Sequence, residues 1–116
     1  MRLEEIVKEA MATGVAARDA KTAELQQAAA REGRGDEELC GWSWITIDTH
    51  TFEKLRALSL PGVRVDDDGD AVSPCKLYLE DVSHYHCLLA SLAGLQAAAT
   101  YLRSHGIKAD QAGMLD

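Results

Sequence analysis

Val82-Ser-His-Tyr-His-Cys-Leu-Leu-Ala-Ser-Leu-Ala-Gly-Leu-Gln-Ala-Ala-Ala-Thr-Tyr-Leu102 contains no Asp, Glu, Lys or Arg, in a chain of which 27% is charged. A helix facing water on one side carries charge there, so this stretch predicts a helix covered on most of its circumference. Tyr85, Leu88, Leu92, Leu95, Ala99 and Leu102 recur at a 3-4-3-4-3 spacing, which places them on one stripe that docks onto a core. The other side is small: His86, Ala90, Gly94, Ala97 and Tyr101 run down it, and Ala90, Gly94 and Ala97 allow a second backbone to come close. Asp81 or Ser83 is the expected cap at the start, and Gly106 the left-handed stop at the end. The uncharged length approaches the roughly 20 residues that span a bilayer. Two His, a Gln, a Thr and two Ser within it favour burial in protein instead.

Working outward, residues 2 to 32 form an Ala-rich helix with Leu3, Ile6, Val7, Ala10 and Met11 as its apolar face. Beyond Gly14 that face thins to Ala17, Ala20, Leu25 and Ala28, so the second half is expected to bury little by itself, as a protruding lever or an oligomer contact. Trp42-Ser-Trp-Ile-Thr-Ile-Asp48 alternates β-branched and aromatic residues and reads as a strand, with Trp42, Trp44 and Thr46 on one side and Ser43, Ile45 and Ile47 on the other. Asp48 or Thr49 caps a short helix with Phe52, Leu55 and Leu58 inward, which ends before Pro61-Gly62. A two-residue turn at Asp68-Gly69 would pair Val65 with Val72, and Lys76–Glu80 continues the strand after the irregularity at Pro74. The expectation is an α+β domain of order α-β-α-β-β-α over residues 1–116, with its core at 42–106. Its small sheet is three-stranded and mostly antiparallel, packed against the long uncharged C-terminal helix.

At 116 residues one domain can bury an ordinary core without metal or disulfide staples. The net charge is −7, concentrated in residues 63–82, which opposes direct binding to a phosphate backbone. The start lacks the basic and apolar regions of a signal peptide. Cys40, Cys75 and Cys87 form an odd set with no repeated spacing, as a reducing compartment tolerates. A cytosolic location is expected.

No catalytic or cofactor motif is present. Placing Gly69 at the glycine position of a calcium loop puts Arg64 and Cys75 where carboxylates belong, so Asp66, Asp67, Asp68 and Asp70 read as a solvated acidic hairpin. His84-Tyr-His-Cys87 is the densest group of soft ligands, and Cys75, His84 and Cys87 are the metal candidates, although no C-x-x-C pair accompanies them. The alternative is that Cys87 is a small apolar residue with a neutral thiol. Two indoles on one strand face, Trp42 and Trp44, are most often core. If Ile45 and Ile47 face the core instead, the Trp pair is exposed and suited to anchoring an interface.

These features predict a small acidic binding protein that occupies a protein partner, through Trp42 and Trp44 or the aspartate hairpin, as a regulator or inhibitor. A basic nucleic-acid-binding protein is one such partner, and neither nucleic acid itself, a membrane nor a cofactor is expected. In size and acidity the chain is similar to small phage-encoded inhibitors, including anti-CRISPR and DNA-mimic proteins, a likeness of composition that no motif carries. The alternatives are a metal or thiol domain using His84, Cys87 and Cys75, and a self-associating subunit, such as a homodimer, joined through the Ala-rich helices.

Overall fold

The computed structural model describes residues 2–33, 41–67, 75–83 and 88–115. Helix α1 (Leu3–Arg31) leads into strand β1 (Gly41–Ile47), helix α2 (Thr49–Leu58) and strands β2 (Val63–Asp67) and β3 (Cys75–Leu79). A four-residue helix α3 (Glu80–Ser83), helix α4 (Leu88–Ser104) and strand β4 (Ala109–Leu115) complete the order. The fold is α+β as expected, but the sheet has four strands, in the order β2-β3-β1-β4, all antiparallel. With α2 and α4 as the crossovers, residues 41–115 have the split βαβ topology. No helix among the described residues is long and apolar enough to cross a membrane.

All the helices serve one face of the sheet. Ile45, Ile47, Cys75, Leu77 and Leu79 from the strands join Ile6, Val7, Ala10, Phe52, Leu55, Leu95, Ala99 and Leu102 in a single buried cluster. The predicted stripe of α4 is therefore the docking face, with Leu95, Ala99 and Leu102 at 0–1% exposure. Residues 84–87 lie outside those described, so the first turn expected there is not placed. The expected caps differ: Asp81 sits within α3, and Ser83 ends it. At the other end Gly106 takes φ 81°, and the N–H groups of Gly106 and Ile107 donate to the carbonyls of Arg103 and Leu102, a Schellman stop.

The small side of α4 meets α1 of the same chain. A Cβ on Gly94 would stand 2.7 Å from the Gly14 carbonyl oxygen, and one on Gly14 would stand 3.0 Å from that of Gly94. The two backbones thus touch where both residues lack side chains. Arg18, four residues on, extends its guanidinium to donate to the Asp81 carbonyl, tying α1 to α3 as well. Of the buried residues of α1, Ile6, Val7, Ala10 and Gly14 lie in the first half and Ala29 alone in the second, where Leu25 is half-buried.

Helix α2 begins as its sequence dictates. Asp48 accepts from the Thr51 N–H (3.3 Å) and from the Thr51 hydroxyl (2.6 Å). Phe52 and Leu55 are buried, whereas Leu58, expected inward, is exposed because the helix ends there, with Ser59 at φ 52°. Burial works to raise the Asp48 pKa, but the Thr51 hydrogen bonds and the nearby His50 outweigh it, leaving the carboxyl below its usual 3.8. A carboxylate with a depressed folded pKa stabilises the fold above the unfolded value and loses that contribution as pH falls through the folded one. Asp48→Ala is accordingly expected to cost about 1 kcal/mol at pH 7. In paired urea titrations the difference from the parent should shrink below pH 3.8; a difference that persists there unchanged would show that the cap's charge contributes nothing.

Candidate functional site

Alternation along the strands gives the sheet a second face that no described helix covers. Ser43, Ile45 and Ile47 are buried on the core side, so Trp42, Trp44 and Thr46 point to the other. The reading of the Trp pair as core is thereby corrected. Trp42 is 60% exposed, the most exposed of the large hydrophobic residues described, and Trp44 is half-buried beside it.

The register assembles the rest of this face from all four strands. Arg64 lies opposite Tyr78 and Trp44 opposite Ala112; in the next row Asp66 lies opposite Lys76, Lys76 opposite Thr46, and Thr46 opposite Asp110. The Arg64 guanidinium stacks 4.2 Å from the centre of the Tyr78 ring, and the Lys76 ammonium 4.6 Å from that of Trp44. Arg64 also pairs with Asp66 at 3.0 Å, and Arg103 with Asp110 at 3.3 Å. The sheet contributes two cations, Arg64 and Lys76, and two anions, Asp66 and Asp110, so the face is locally neutral in a chain of net charge −7.

Strand β1 pairs with β4 along its whole length but with β3 at Ile45 and Thr46. Where β1 and β3 part, a cleft of about 420 Å³ opens, lined by Trp42, Ser43, Arg64, Tyr78 and Ser83 among others. The Ser43 hydroxyl donates to the Ser83 carbonyl at 3.3 Å, holding α3 at the cleft floor. Among the described residues the buried Trp44 indole N–H and the Ser83 hydroxyl have no hydrogen-bond partner.

The aspartate hairpin is differently built than predicted. Val65 pairs with Leu77 rather than Val72, so strand pairing extends to Asp67 opposite Cys75 and the connection spans residues 68–74. The expected pairing is thus corrected by a shift of register, five residues along the chain, while Asp68 and Gly69 of the expected turn lie outside the described residues. Asp66 and Asp67 belong to β2 and point to opposite faces, and Asp66 is neutralised by Arg64. Asp68 and Asp70 lie outside the described residues. So do His84 and Cys87 of the metal candidates, while Cys75 is buried at 1% exposure, its sulfur 4.0 Å from the Thr49 hydroxyl. Among the described residues no three His, Cys, Asp or Glu gather to hold a metal ion.

Sequence reasoning singled out Trp42 and Trp44 but missed Arg64, Lys76 and Tyr78. Their signal was the same alternation: in Val63-Arg-Val65 and Cys75-Lys-Leu-Tyr-Leu79 the polar or amphipathic residues occupy every second place. No protein-family model matches the chain, and no curated protein or solved structure is significantly similar to it.

Proposed function

We propose that this chain is a non-enzymatic binding module that acts by occupying a protein partner, and that the open face of its sheet, centred on Trp42, makes the contact. The observation that carries this reading is an indole left 60% exposed on a strand whose opposite side is buried at Ser43, Ile45 and Ile47. Exposing so large an apolar surface is unfavourable in isolation, and Trp is the residue type most enriched among interface anchors. The adjoining cleft between Trp42, Arg64 and Tyr78 offers a partner's side chain a place to insert. The face is neutral, so affinity rests on apolar and stacking contacts, and the overall negative charge would speed encounter with a basic partner.

Single-stranded nucleic acid is the second reading, because aromatic residues on an open four-stranded sheet can stack bases. Two observations weigh against it. Arg64 and Lys76 already lie over the rings of Tyr78 and Trp44, and Asp66 and Asp110 flank them. At Tyr78 and Trp44 a base, and at Arg64 and Lys76 a phosphate, would have to break these pairs, which leaves Trp42 as the exposed indole of the face.

The test is affinity capture from the native host, followed by binding titrations with the captured protein. Trp42→Ala is expected to weaken binding by about 2 kcal/mol, or roughly thirtyfold, mainly through faster dissociation, and to leave unfolding unchanged. Unaltered affinity in that variant would remove the face from consideration. Saturable quenching of tryptophan fluorescence by an RNA oligonucleotide at physiological salt would transfer it to nucleic acid.

A further inference from the structure

We infer that the outer edge of β4 pairs antiparallel with β4 of a second copy of this chain, joining the two sheets into one of eight strands. The sheet has two edges, β2 and β4, and they are built differently. Edge strands present unpaired backbone groups, and proteins usually protect them by shortness, charge, Pro or a bulge. Strand β2 has that protection: of its five residues Arg64, Asp66 and Asp67 are charged. Strand β4 has little. It is seven residues long, pairs with β1 in unbroken register from Ala109 to Leu115, and contains no Pro, Lys or Arg. Its one charge is Asp110, and Arg103 holds that end by donating to the Ala109 carbonyl. Among the described residues no strand pairs with its outer side.

A second copy fits this edge by its own pattern. A two-fold axis at Ala112 pairs residues 110–114 of the two copies, with Asp110 opposite Met114 and Gln111 opposite Gly113, so no like charges face each other. Such an axis is perpendicular to the sheet and keeps both sets of helices on one side. There Leu88 and Leu92 already lie over Gly113, and Leu89 of the same turn is left 41% exposed to be covered. The Trp42 faces of both copies stay open and lie side by side, so the pairing leaves the proposed partner surface intact and presents it twice.

Light scattering of the full chain across a concentration series is expected to show the mass doubling. Ala112→Asp and Ala112→Lys each set like charges against each other at the axis and should weaken self-association by about tenfold or more, while an equimolar mixture of the two restores it. In the unmodified protein, amide exchange of residues 110–114 should be slower above the transition than below it, a readout that needs no variant to fold. A chain monomeric throughout overturns the inference and leaves the edge to an extended segment of another protein. A dimer whose β4 amides are no better protected than the monomer's, or charge variants that dimerise as the parent does, overturns it equally. None of these outcomes depends on Trp42, so they are separable from capture of a different partner.

Discussion

Gly94→Leu is expected to cost more than about 4 kcal/mol, a large part of the roughly 5–15 kcal/mol that keeps a domain folded. The reason is the contact of two backbones. A Cβ at Gly94 would meet the Gly14 carbonyl oxygen and Val82 Cγ1 at 2.7 Å, and the Arg18 Cβ at 3.1 Å. The backbone carbonyl cannot swing away, and the methyl of fully buried Val82 has no open space to turn into, so α1 and α4 must separate and open the core they share. Gly94→Ala separates two opposed effects. Alanine favours a helix over glycine by about 1 kcal/mol, whereas overpacking costs about 1–3 kcal/mol, so net destabilisation is expected. At Gly14 the corresponding distances are 3.0 and 3.1 Å, and Gly14→Ala should be the milder change. Urea unfolding of the three variants checks the ranking. A Gly94→Ala protein as stable as its parent would mean that the helices are further apart than described.

Leu95→Ala is expected to cost about 2–5 kcal/mol, because Leu95 is fully buried between α4 and the sheet and its removal leaves a cavity that rigid neighbours cannot close. Leu92 belongs to the same stripe but is half-buried, covering Gly113 at the margin of the sheet. Leu92→Ala should therefore cost distinctly less. Chemical denaturation that finds less than about 1 kcal/mol for Leu95→Ala, or the reverse order of the two, would reject the orientation of α4. The pair tests what period alone could not rank, since both residues occupy equivalent places in the 3-4 spacing.

What the sequence by itself determined was whatever local chemistry decides. From Leu88 on the uncharged run is a covered helix, Gly106 ends it, the cap of α2 was narrowed to Asp48 or Thr49, and Trp42–Ile47 was a strand by its alternation. The missed strand shows the limit. Ala109-Asp-Gln-Ala-Gly-Met-Leu115 has no β-branched or aromatic residue, and its backbone is extended because seven pairs with β1 and the Leu92 side chain over Gly113 hold it so. Similarly, the side of β1 that faces the core was undecidable locally. Both of its faces are rich in large residues, and Ile45 and Ile47 are buried because the helices lie on their side. Only that tertiary choice turned Trp42 and Trp44 outward, brought Arg64, Lys76 and Tyr78 beside them from two other strands, and left a face that no described helix covers. Period-two alternation says which residues share a face; it takes the packing of distant segments to say which face meets water.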